Sequence, residues 1–142
     1  MNQRVFVEVG LSFLIERNGK MVTATETSRQ FSKEMTKDFW VLATFTGIYC
    51  KHHHKDVPKT KFESKRYLPE GGPELCEDCS KLLGYSLGKR TICPMDPKPT
   101  CRKCPNHCYK DDYREKMQEV MKFSGPHLIK RGRFDLLLHY LK

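Results

Sequence analysis

Seven cysteines, at positions 50, 76, 79, 93, 101, 104 and 108, crowd the middle and later part of a 142-residue chain. An odd number cannot pair completely into intramolecular disulfides. No export signal is read at the start. The longest apolar run, Val5–Ile15, is interrupted by Glu8 and Gly10 and lacks a basic opening and a small-residue cleavage site. No run approaches the roughly 18 apolar residues that span a bilayer, so no membrane association is expected. A cytoplasmic, reducing setting follows as the expectation, and there such clusters are more often metal sites than disulfide staples. The apolar fraction of 38% is lean. Metal coordination can supply folding energy that so thin a core does not.

The spacing sorts the cysteines into two sets. Cys101-Arg-Lys-Cys104 is a knuckle whose short turn aims two sulfurs at one point, and Cys93 and Cys108 complete four thiolates. In the other set, Cys76-Glu-Asp-Cys79 repeats the two-residue gap, and so does the pair Cys50 and His53 in Cys50-Lys-His-His53-His54. Seven cysteines and one histidine make eight ligands, enough for two closed four-coordinate sites and two Zn²⁺ ions. His54 is an alternative to His53, and His107, between two expected ligands, is a spare. Sequential pairing of the knuckles is favoured over a cross-braced arrangement because short loops close at lower entropic cost. The mixed Cys/His site suits zinc. For Cys93, Cys101, Cys104 and Cys108, geometry admits an iron–sulfur cluster as the alternative.

Around these ligands the chain reads as mostly α, a small metal-stabilised helical domain over residues 26–142 with a cysteine-rich middle. Residues 1–25 form an N-terminal β-hairpin or extension: Val5, Val7 and Val9 alternate, and Asn18-Gly19 is a two-residue turn signal between Phe13–Arg17 and Lys20–Ala24. Thr27 and Gln30 are spaced as a capping box ahead of a stripe of Phe31, Met35, Phe39 and Leu42, in a helix expected to stop near Cys50. Residues 51–73, with Pro58, Pro69 and Gly71-Gly72-Pro73, read as a long solvated loop. A short helix is expected over Cys79–Leu87. Another is capped by Asp112 and Glu115, carries Tyr113, Met117, Val120 and Met121 on one face, and ends at Gly125-Pro126. Phe134, Leu137, Leu138 and Leu141 make a final apolar stripe.

No chemistry of catalysis is written in the chain. It has no Gly-x-Ser-x-Gly elbow, GxxxxGK loop or GxGxxG turn. No catalytic residue is assigned, and the chain reads as a binding protein sooner than an enzyme. Its 26 Lys and Arg against 17 Asp and Glu give a net charge of +9. The partner expected is a protein. Nucleic acid is the competing partner, with Lys130, Arg131 and Arg133 as the cluster to contact phosphates. An iron–sulfur redox or nitric oxide-sensing protein is the other competitor.

The residues taken together resemble a family. The order Ile48-Tyr49-Cys50, His53-His54, Leu75-Cys76-x-x-Cys79, Cys93-Pro94, Lys98-Pro-Thr-Cys101-x-x-Cys104, His107-Cys108-Tyr109, Arg114-Glu115, Val120-Met121 and Gly125-Pro126 resembles the nitrous oxide-stimulated promoter family of small bacterial proteins. The likeness runs from about Thr27 to the C-terminus and leaves out the hairpin. The connector between His54 and Cys76 is longer than is usual for the family, and no His-Pro pair follows Gly125-Pro126. The resemblance implies a cytoplasmic protein made when the cell meets nitric oxide or related nitrogen oxides, a nitrosative-stress role. That names a response and not a reaction.

Overall fold

The computed structural model describes residues 13–15, 21–23, 31–95, 104–135 and 138. The chain divides into two compact units, Met1–Phe31 and Ser32–Lys142. In the first, β1 (Phe13–Ile15) pairs antiparallel with β2 (Met21–Thr23), so the expected hairpin is present. Its register sets Phe13 opposite Thr23. A two-residue turn at Asn18-Gly19 would set Phe13 opposite Ala24, one residue away from what is seen. The Val5, Val7 and Val9 alternation and the Thr27/Gln30 box lie outside the described residues.

The second unit is built on α1 (Lys33–His53), α2 (Glu77–Thr91) and α3 (Asp111–Lys130). The N-cap of α1 is Ser32, whose hydroxyl oxygen accepts from the Met35 N–H at 3.1 Å. Phe39, Val41, Leu42, Phe45 and Thr46 are buried, as are Leu82, Leu83 and Leu87 of α2 and Met117, Val120 and Leu128 of α3. The β-branched and aromatic stretch after Val41 does not end α1. Burial of that stretch outweighs a propensity difference of a few tenths of a kcal/mol per residue. The helix runs one turn past Cys50, where the Lys59 ammonium donates to the His54, Lys55 and Val57 carbonyls and so satisfies its open end.

Buried polar groups are paired. Thr46 and Ser86 return their hydroxyl hydrogens to the Leu42 and Leu82 carbonyls at 2.8 and 2.9 Å. The Ser124 hydroxyl crosses from α3 to the Phe45 carbonyl of α1 at 2.7 Å. Arg90 of α2 meets Asp38 of α1 in a largely buried ion pair.

The segment 51–73 is exposed over most of its length, as its polarity suggests, but it is a hydrogen-bonded return and not an open loop. β3 (Thr60–Lys61) pairs antiparallel with β4 (Glu74–Leu75), and Leu68 is 1% exposed. The chain folds back on itself through Gly71, whose φ of +88° favours glycine. It lies against α1 at Gly47, where an added Cβ would stand 2.9 Å from the Pro73 Cβ. Gly47, which weakens a helix by propensity, is here the gap into which the returning chain fits.

Both ends of α3 also depart from the sequence reading. Its N-cap is Lys110, and no Asp112/Glu115 box closes it; the Lys110 N–H is instead taken by the Tyr85 hydroxyl at 2.9 Å. Pro126 sits inside the helix and does not stop it. Part of the proline penalty is a clash with the preceding Cβ, and Gly125 has none. The terminating glycine is Gly132, at φ +74°. Gly132 and Arg133 donate their N–H groups to Ile129 and Leu128 at 2.9 and 3.0 Å, a Schellman closure. In the last segment Phe134 and Leu138 are exposed. The side chains of Leu137 and Leu141 lie outside the described residues. Among those described, no helix is long and apolar enough to cross a membrane.

Candidate metal centre

The long helix α1 and the N-terminus of α2 meet at their polar ends, with β4 leading directly into α2. Cys50, on the last turns of α1, is fully buried. His54 follows as the C-cap, four residues on and therefore on the same helical face. Cys76 is the N-cap of α2 and Cys79 its third residue, and both are buried. The pairing of β3 with β4 places Cys76 beside α1, where its N–H donates to the Cys50 sulfur at 3.3 Å.

Cys50, His54, Cys76 and Cys79 each offer one donor atom, and the four atoms all lie within 4.8 Å of one another. His54 Nδ1 stands 3.4 Å from the Cys76 Sγ and 3.3 Å from the Cys79 Sγ. Metal–sulfur bonds of about 2.3 Å and metal–nitrogen bonds of about 2.0 Å in a tetrahedron give edges of roughly 3.8 Å between sulfurs and 3.5 Å between sulfur and nitrogen. The two sulfur–nitrogen separations are close to the second of these edges. Three sulfurs and one imidazole nitrogen are also a donor set that suits zinc.

The electrostatics of the three thiols show what a cation would change. Burial pushes Cys50 up, as it does Cys79, which the neighbouring Cys76 and Cys50 sulfurs raise further. Burial acts on Cys76 in the same direction but is outweighed. Hydrogen bonding from the Cys79 amide, the Cys79 and Cys50 thiols and the Asp78 amide at the start of α2 holds Cys76 below the ordinary thiol range. Without a cation, Cys76 is the thiol of the three that ionises most readily. A divalent ion would supply the charge that lets all three sulfurs be thiolates at once.

The histidine differs from the sequence reading. His54 joins the sulfurs, and His53, named first on the strength of its two-residue gap, does not. A gap of two aims two ligands together in a knuckle turn, but Cys50 lies in a helix, where the residue four ahead shares its face. His53 instead stacks on Tyr49, ring centroids 4.4 Å apart, and meets Phe123 of α3 edge-on at 4.5 Å. Replacing His54 by alanine should weaken metal binding by at least about tenfold, whereas His53→Ala should leave it within about threefold; competition with a chelating dye reads both. Equal losses would sink the assignment.

The other expected ligands are not assembled in this way. Cys93 and Cys104 are half-buried and Cys108 is exposed. Cys104 bonds through its thiol to the Asn106 carbonyl at 3.2 Å. Cys101 lies outside the described residues. Among the described residues, Cys93, Cys104, Cys108 and the spare ligand His107 do not bring three donor atoms together.

Comparison with known proteins gives the chain its kinship. The model of the nitrous oxide-stimulated promoter family matches residues 33–141. The chain belongs to this family. The resemblance read from the order of cysteines and histidines is thereby confirmed over most of the chain. The matched span of the family contains the four residues of the cluster and all the remaining cysteines, and it leaves out the N-terminal hairpin. The uncharacterized protein YgbA of Escherichia coli (strain K12) is 42% identical over 66 residues, 46% of this chain and 56% of that protein. The chain thus spans little more than half the length of this curated relative. No solved structure matches it.

Proposed function

We propose that this chain is a cytoplasmic zinc-binding protein of the response to nitric oxide and related nitrogen oxides, acting through a partner that it binds. The observation that carries the metal reading is the convergence of Cys50, His54, Cys76 and Cys79 on one point, in a buried corner where α1 ends and α2 begins. Four protein ligands close the coordination sphere, which is the mark of a structural and not a catalytic zinc. An ion there would join two helices that the chain otherwise links by the 51–73 segment. The family description supports the link to nitrogen oxides. A closed site with no position left for a substrate supports action by binding.

Elemental analysis of anaerobically purified protein is the test. About one zinc per chain is expected from this cluster, and about two if Cys93, Cys101, Cys104 and Cys108 hold a second ion. Brown protein with iron and broad visible absorbance would replace zinc by an iron–sulfur cluster. Folded protein with neither metal would overturn the reading.

A further inference from the structure

Where α1 passes α3, five ring side chains make a continuous patch outside the four cluster residues, meeting the cluster where Tyr49 packs edge-on against His54 at 5.7 Å. Tyr49 stacks on His53, and His53 meets Phe123. His52 lies 5.5 Å from Phe123 and 4.6 Å from His127, which itself stacks over Phe123 at 5.9 Å. None of these rings is buried: His53 is exposed and the other four are half-exposed. Contiguous aromatic surface left partly open to solvent is a feature of binding faces.

The charge around the patch has one sign over most of its length. His52 lies near the positive charges of Lys55, Arg131 and Lys51. Lys51, Lys55, Lys130 and Arg131 are all exposed, so their charges are available to a ligand. The carboxylate that joins the patch is Glu119, at its far end, where it accepts a hydrogen bond from the Tyr49 hydroxyl at 3.2 Å. Such a field opposes a second metal cation at the His52–His127 pair and favours an anion.

We propose that this face binds single-stranded nucleic acid. Ring faces flanked by lysines and arginine are the two components such binding needs: stacking for unpaired bases, and cations that follow the phosphates. A duplex hides the faces of its bases and could use only the cations. Arg131 belongs to the basic run at 130–133, and the fold brings it near His52 of α1. This proposal rests on reading the chain as a binding protein, but not on the identity of its metal.

The test is fluorescence anisotropy of the full chain, with its metal as purified, against a labelled single-stranded oligothymidylate of about 16 nucleotides, the upper site size of one small binding fold. Phe123→Leu, which keeps an apolar side chain and removes the ring, should weaken binding about fivefold or more. The pair Lys55→Glu and Arg131→Glu should weaken it about tenfold or more. It should also reduce the slope of log affinity against log salt by about 1.4, two contacts at about 0.7 each. Zinc content and melting of each variant are measured alongside, so loss of the strand site with zinc intact is separable from failure of the metal reading. No association of the wild-type chain at low salt overturns the proposal. So does equal affinity for duplex, or affinity unchanged in both folded variants.

Discussion

Cys79→Ser is expected to lose about one equivalent of metal per chain and, with it, the cooperative unfolding of the helical unit. Cys79 is 3% exposed and faces the Cys76 sulfur, the Cys50 sulfur and the His54 ring. Serine in its place offers a weaker ligand and leaves a hydroxyl in a cavity shaped for sulfur. Structural zinc sites are worth about 10–16 kcal/mol of apparent binding energy in small domains. The whole stability of a domain is only about 5–15 kcal/mol, so losing a large part of the former removes the latter. Metal analysis and a thermal melt read the effect. Wild-type chain stripped by chelator should melt like the variant and regain its transition when zinc is returned. A variant that keeps its metal and melts with the wild type would rule out the site.

Phe45→Ala should destabilise the same unit by about 3–5 kcal/mol, the usual cost of deleting a buried aromatic side chain. Phe45 is fully buried on α1, and its carbonyl receives the Ser124 hydroxyl from α3. Removing the ring therefore opens a cavity beside the seam between those helices. Urea unfolding at saturating zinc measures the loss, and metal per folded chain should stay unchanged. A cost below about 1 kcal/mol would mean that α1 does not carry the core. The two variants separate the two sources of stability, because one acts on coordination and the other on apolar burial.

Much of the site was legible before the fold was known. Cys76 and Cys79 announced themselves by a two-residue gap, which acts locally and needs no tertiary information to aim two sulfurs together. Cys50 follows from its two-residue gap to His53 and from the ligand count, although the helix makes His54 its partner. Helix identity was likewise legible from Phe39 and Leu42 in α1 and from Met117 and Val120 in α3, whose spacing records a face to be buried. The boundaries were less so. A glycine does end α3, but it is Gly132, through its positive φ, and not Gly125.

What the sequence by itself determined, then, is whatever depends on near neighbours: the knuckle of Cys76 and Cys79, the periodicity of α1 and α3, the hairpin pairing of β1 with β2, and the family. Tertiary structure decided the rest. It chose His54 over His53, because Cys50 lies in a helix whose continuation past Cys50 is supported by burial and by Lys59 from the following segment. It turned the polar stretch 51–73 into a paired return, because Leu68 has a pocket to fill and Gly47 leaves room for Pro73. And it gathered Tyr49, His52 and His53 with Phe123 and His127, residues some seventy positions apart, at the crossing of α1 and α3. Short-range spacing cannot carry such choices, since each depends on which surfaces are removed from water together, and that is settled only when the helices pack.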